Sequence, residues 1–429
     1  MKRQSDRQLG TLLNRLKDVV GSKRFFYFAV AIFGLQAGWI AVASKFPMAY
    51  DETYHLGIIQ QYSRKWLPFF AHQPAHASGL GPLTVDPSYL YHYLMSFPYR
   101  VFHVITPSLQ ANVIFLRLID VVFFAVGFWL FRKVLLEMKL PAAVVNAMLF
   151  CIMLLPVVTF LAANINYDSL QFLLLGYAML LTVRIGHQIA AQNVSLHAVG
   201  WLILTCCFAS LTMYSFLPIF VGIVVCLGLL TILHRKDLTV QAFKFQGIKT
   251  YLMLLLLIVG VGLFSYRYGV NVIRYHSPDP QCNQVLSVSY CEGYGPWARN
   301  YALAQKPHPP MDLGRFVLFN RVWATQLASG LFSVISIEGG GTIMPPIHIL
   351  ADVAFLVAII GTVAAIVYRQ EIFRHYGSLF IVVVVIGAGY ALALWIQNYM
   401  DFTHLGAFVA IQSRYLVPIL PMTNKPSKE

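Results

Sequence analysis

The chain has 429 residues, of which 58% are hydrophobic and only 11% charged. Soluble domains carry about 25% charged residues, so a soluble enzyme, a disordered chain and a fibrous repeat are excluded. A polytopic, all-α membrane protein is the class that remains. The formal net charge of +14 stands beside no nucleic-acid-binding motif, so no nucleic-acid partner is expected, and the excess reads as Lys and Arg gathered on the cytoplasmic side of membrane spans.

The first 24 residues carry Lys2, Arg3, Arg7, Arg15, Lys17, Lys23 and Arg24 against Asp6 and Asp18. Leu9, Leu12, Leu13, Leu16, Val19 and Val20 repeat at helical spacing. This predicts a basic amphipathic helix on the cytoplasmic membrane surface. Residues 25–44 form the first apolar run long enough to cross a bilayer. Further spans are predicted near 111–131, 141–163, 170–183, 198–213, 216–233, 251–266, 348–368, 378–397 and 405–420. The count is about ten. Basic loops containing Arg132, Lys133 and Lys139, and then His234, Arg235 and Lys236, fall on one side of that count. Both termini are then cytoplasmic.

Two long external loops follow, residues 45–110 and 267–347. Stretches 88–105 and 316–336 are apolar enough to mimic spans. The charge bias makes them in-plane or re-entrant helices instead. The chain thus divides into a basic segment (1–24), a membrane domain (25–421) and a cytoplasmic tail (422–429). Gly339, Gly340 and Gly341 lack the Lys of a phosphate loop and read as a flexible break.

Chemistry-bearing residues concentrate after the spans. Asp51 and Glu52 follow the first one. They can complement the dipole of a helix over 52–66, whose stripe is His55, Ile58, Ile59, Tyr62 and Trp66. They can equally supply a general base at the membrane–water boundary. In Asp86-Pro87-Ser88-Tyr89-Leu90-Tyr91-His92-Tyr93-Leu94, Tyr89, Leu90, Tyr93, Leu94 and Phe97 repeat as in an interfacial helix. Asp168, in the turn between the third and fourth spans, reads as an N-cap or as part of a joint site with Asp51. Arg117 and Asp120, three apart inside the second span, can pair on one helix face as a self-neutralising couple, or mark a functional site inside the membrane. Arg267, Arg274, Arg299, Arg315 and Arg321 enrich the second external loop. With Arg414 in the last apolar run, they suit a phosphorylated head group. Cys282 and Cys291 lie in that same loop. They form a disulfide if the loop faces an oxidising compartment and are free thiols otherwise.

Taken in order, these motifs resemble those of the GT-C superfamily of polytopic glycosyltransferases, which includes the protein O-mannosyltransferases and the lipid A aminoarabinose transferases. The matching features are Asp51-Glu52 after the first span, Pro87-Ser88-Tyr89-Leu90-Tyr91, Arg117-Leu118, Asp168, and Arg414-Tyr415-Leu416 with Pro418. The stretches Asn166-Tyr167-Asp168 and Leu331-Phe332-Ser333 also look like an uncharacterised bacterial membrane-protein family placed beside those enzymes. The resemblance implies a bacterial inner-membrane enzyme that takes a sugar from a polyprenyl-phosphate donor. The acceptor is a lipid, polysaccharide or protein. Asp51 is then the general base, with Asp168 and Glu52 as further catalytic candidates. His55, Tyr89, His92, Arg117, Arg274, Arg299, Arg321 and Arg414 are candidates for binding substrate. No cofactor is required, although the Asp51/Asp168 pair can hold a divalent metal. A lipid or glycan transporter, a polymerase or ligase of another fold, and a non-enzymatic assembly protein are the competing classes.

Overall fold

The computed structural model describes residues 2–234, 243–244, 247–335, 342–344 and 369–422, with single positions between 349 and 367. Most of the predicted span at 348–368, Gly339 to Gly341 and the tail beyond 422 lie outside the described residues. Among the described residues the chain is helical, apart from the short pairings Val194–Ser195 with Phe243–Lys244 and Val334–Ile335 with Thr342–Met344.

Helix α1 (Lys2–Gly21) leads through Ser22 into α2 (Lys23–Ala43). Ser22 caps α2 by accepting from Phe25 N at 3.1 Å. One face of α2 buries Phe26, Ala29, Phe33, Ala37 and Ala41. The other exposes Tyr27, Phe28, Leu35 and Trp39. A helix apolar on both faces suits lipid as its outer solvent. Then come α3 (Glu52–Ser63), α4 (Leu90–Ile105), α5 (Leu109–Glu137), α6 (Ala142–Met153), α7 (Pro156–Ala162), α8 (Tyr167–Ala190), α9 (Leu196–Thr212) and α10 (Leu217–Leu233). The remainder are α11 (Ile248–Phe264), α12 (Val270–Tyr275), α13 (Cys282–Val285), α14 (Val288–Cys291), α15 (Gly295–Ala304), α16 (Leu313–Gly330) and α17 (Arg369–Leu405).

Among the described residues, five helices are long and apolar enough to cross a membrane: Lys23–Ala43, Leu109–Glu137, Tyr167–Ala190, Tyr214–Leu233 and Ile248–Tyr275. The protein is therefore membrane-embedded. At its centre α5 packs on α8. A Cβ at Gly127 would meet Phe172 Cδ1 at 2.5 Å, and one at Gly176 would meet Leu130 Cβ at 3.0 Å. Small residues here let the two backbones approach, and Phe124, Phe128 and Phe131 close around Phe172.

Several predicted elements change. The third span is two helices, α6 and α7, bent by 72°. Pro156 at the start of α7 cannot continue α6, and Leu331 O accepts from Val157 N at 3.4 Å next to the break. The helix from Ile248 does not stop at 266 but runs through a π-helical turn, Ser265–Gly269, into α12. The last predicted span is not a helix. Beyond α17, residues 406–422 carry only the short 3₁₀ turns Ser413–Leu416 and Leu420–Met422. Gly406 has φ +64°, and Pro418 and Pro421 follow, so a continuous helix is broken there. This irregular chain buries Arg414, Val417 and Ile419 inside the protein. Helix α16 lies alongside the end of α17. Trp323 Nε1 donates to Asn398 Oδ1 and Trp395 Nε1 to Asn320 Oδ1, both at 3.0 Å.

Candidate functional site

The turn between α2 and α3 is held by one arginine. Arg117 Nε and Nη2 reach Glu52 Oε1 and Oε2, each at 2.7 Å. Its Nη1 donates to Ala41 O at 3.0 Å and Ser44 O at 2.8 Å, and Nη2 to Lys45 O at 3.2 Å. The cation thus also serves the open carbonyls at the end of α2. Glu52 accepts in addition from Met48 N at 2.9 Å and Ile165 N at 3.3 Å. Both side chains are fully buried. The Arg117–Asp120 pair does not form. Asp120 Oδ2 takes the Tyr91 hydroxyl at 2.7 Å instead, because the turn joining α2 to α3 brings Glu52, with both its oxygens, to the guanidinium fork.

Asp51, one residue earlier, is held differently. Tyr50 and Asp51 adopt left-handed conformations, φ 54° and 61°. For non-glycine residues these conformations are uncommon and carry backbone strain. Asp51 makes no side-chain cap bond to α3. Its Oδ2 lies 3.0 Å from Arg414 Nη2, and its side chain remains 35% exposed while Arg414 is 4% exposed. Arg414 Nη1 also donates to Tyr50 O at 3.4 Å, and its Nε is buried without a hydrogen-bond partner. Asp168 is not an N-cap. Helix α8 begins at Tyr167, with Asn166 as its cap residue. Asp168 is buried with both carboxylate oxygens unpartnered, within the fields of Arg414 and Asp51. Asn164 Nδ2 donates to Ala49 O, tying the Asp168 turn to the Asp51 turn. The two turns thus pack against each other.

Helices α3 and α4 pack their histidines together. His55 Nδ1 lies 2.9 Å from His92 Nε2. The buried face of α3 carries His55, Ile58, Ile59 and Tyr62 as predicted, but the helix ends before Trp66, which is 75% exposed. On α4 the buried side chains are Leu90, Tyr91, His92, Met95, Ser96 and Tyr99; of the predicted stripe Tyr89 and Leu90 are buried, whereas Tyr93, Leu94 and Phe97 are not. The Tyr167 ring meets His55 edge-on at 4.7 Å.

A second buried group lies across the tyrosines. Arg267, on the π turn, is 3% exposed. It donates to Thr84 O and sits over the rings of Tyr89 and Phe69, at 4.9 and 5.4 Å. Burial raises the Asp86 carboxyl above its usual range. Burial, with Asp86 nearby, raises Asp279 to about 7. Tyr294 stacks on Tyr54 at 5.9 Å. It is carried on a hairpin closed by the Cys282–Cys291 disulfide, which docks on the first loop through a bond from Gln73 Nε2 to Tyr290 OH at 3.1 Å. Arg274, Arg299 and Arg321 are exposed, and Arg299 bonds its neighbour Asn300. Among the described residues, no three of His, Cys, Asp and Glu gather as metal ligands.

Compared with family models, curated proteins and solved structures, the chain matches none. The site therefore stands on its own geometry. Sequence reasoning passed over Tyr50, Tyr167 and Tyr294, and named Arg267 only as one loop arginine among several. The run Asn164-Ile165-Asn166-Tyr167-Asp168, polar at every second position in a hydrophobic chain, was the available signal for Tyr167. Nothing local singled out Tyr294.

Proposed function

We propose that the chain is a bacterial inner-membrane glycosyltransferase of the GT-C type, with about ten spans. It moves a sugar from a polyprenyl-phosphate donor to a hydroxyl of an envelope acceptor on the extracytoplasmic face. The carrying observation is the strained, partly exposed Asp51 ion-paired to the buried Arg414, with Asp168 unpartnered beside them. Asp51 accepts the acceptor-hydroxyl proton. The acceptor oxygen forms a bond to the anomeric carbon, and the bond from that carbon to the phosphate oxygen breaks with its electron pair on phosphate. The leaving phosphate needs positive charge rather than a general acid, and Arg414 supplies it. A single displacement inverts the anomeric centre. Asp168 orients the base or acceptor, and Glu52 with Arg117 holds the turn.

The test is mass spectrometry of envelope glycolipids and polyprenyl-phosphate sugars from cells carrying the native chain or Asp51→Asn. The expected result is one glycan lacking a sugar, accumulation of its lipid-linked donor and unchanged protein level. A profile identical to native, while deletion of the whole protein alters it, removes Asp51 as the base. A transporter is the second reading. The 72° break between α6 and α7 is the observation that favours it, because broken helices build transport sites. Under that reading Asp51→Asn leaves every glycan fully built and shifts its distribution across the membrane.

A further inference from the structure

Two buried histidines have no part in the steps above. His55 and His92 are each 1% exposed, with rings stacked at 5.2 Å and 17°. His92 Nδ1 faces the carbonyl oxygen of Ser88 at 3.1 Å. A carbonyl only accepts, so His92 Nδ1 carries the hydrogen. In a neutral imidazole the other nitrogen, Nε2, then holds a lone pair. His55 Nδ1, 2.9 Å from that lone pair, must donate, and its own Nε2 is left as an acceptor.

Both rings are kept neutral. Burial pushes His92 down to about 3, against the raising effect of the Ser88 carbonyl. Burial, His92 and Arg414 together hold His55 well below its usual value. The groups packed on His55 are the rings of Tyr54, Tyr91 and Tyr167. They are neutral at physiological pH and leave the tautomer to His92. His55 stands one helical turn beyond Asp51, its backbone N bonded to Asp51 O at 3.1 Å.

We propose that His92 is a positioning residue. Through the fixed chain from Ser88 O to His92 to His55, it presents a lone pair on His55 Nε2 that takes the hydrogen bond of the acceptor hydroxyl. This rests on the glycosyl-transfer reading. No proton moves to the histidines; it goes to Asp51, and His55 aims the hydroxyl.

The test uses the full chain in cell membranes and the glycan readout per unit of folded protein. His92→Phe lowers product about tenfold, the scale of one lost hydrogen bond in the transition state. In His92→Gln, the amide oxygen accepts from His55 Nδ1 while the amide nitrogen donates to Ser88 O. Product returns to within about threefold of native. Since His92 acts only through His55, adding His92→Phe to His55→Phe causes no further loss. A Gln variant no better than Phe, or losses that multiply in the double variant, overturns the proposal. Nitrogen-15 NMR of the histidine-labelled, detergent-solubilised protein gives a readout apart from activity. The expected signature is a protonated Nδ1 and an unprotonated Nε2 at both residues. Mixed tautomers or an imidazolium at neutral pH overturn the chain. If that signature holds while Asp51→Asn leaves the glycan intact, the reading of the reaction is what fails, so the two failures are separable.

Discussion

Asp51 and Glu52 are adjacent acids, each paired with a buried arginine, and they are held in opposite ways. The Glu52–Arg117 pair is closed. Both carboxylate oxygens meet guanidinium nitrogens, backbone N–H groups complete the acid, and three carbonyls complete the arginine. The Asp51–Arg414 pair is open. It has one contact at 3.0 Å, a carboxylate 35% exposed, an idle Arg414 Nε and an unpartnered Asp168 nearby. A closed pair has nothing left to offer a ligand and serves as a brace. An open pair stores unsatisfied bonding capacity where a substrate can use it. The brace sets the strained turn from which Asp51 projects, so the two depend on each other.

The comparison breaks most visibly at the brace. Arg117→Ala should destabilise the protein by about 3–5 kcal/mol, because Glu52 is left buried and uncompensated. Thermal unfolding in detergent checks this, and a loss below about 1 kcal/mol would show that the brace is not closed in solution. At the open pair the effect should move from stability to rate. Asp51→Asn should cut transfer about 10²–10⁴-fold, as single-turnover assays with the lipid-linked donor would measure, and lower the melting temperature less than Arg117→Ala, because Asp168 still faces the buried Arg414. Arg414→Lys keeps the charge but loses the fork, and should cost about 10²-fold in the same assay; parity with native would remove Arg414 from the leaving-group role.

Smaller effects are expected away from both pairs. Cys282→Ser should weaken closure of the Tyr294 hairpin by about 2–3 kcal/mol, seen as faster protease cleavage within residues 276–304 of the intact protein. Asp279 gives a pH signature. Its folded-state value of about 7 lies above the unfolded value of about 3.9. Between these the folded chain keeps a proton that the unfolded chain has released, so this contribution to stability is full at low pH and falls as pH rises through the window. Asp279→Asn should remove that slope. A melting temperature that changes identically with pH in both proteins would deny the shift.

Legibility differed between elements for physical reasons. The spans at Lys23–Ala43, Leu109–Glu137 and Tyr167–Ala190 could be read because lipid demands an unbroken apolar run, and that demand is local. The predicted span at 405–420 could not, because a buried irregular segment has the same apolar composition as a helix and differs only in what surrounds it. The 72° break at Pro156 was signalled by the proline but masked by the apolar residues on both sides. Arg117 and Asp120 looked like partners because they are three apart; their actual partners come from α3 and α4.

Composition and hydropathy pattern by themselves determined that this chain lives in a membrane, where its first spans run and that its acids cluster beyond them. Only the tertiary structure decided which acid meets which arginine. Glu52 and Arg117 are 65 residues apart, and Asp51 and Arg414 are 363 apart. An apolar run is selected residue by residue against lipid, whereas an ion pair across such separations exists only once the helices between have packed.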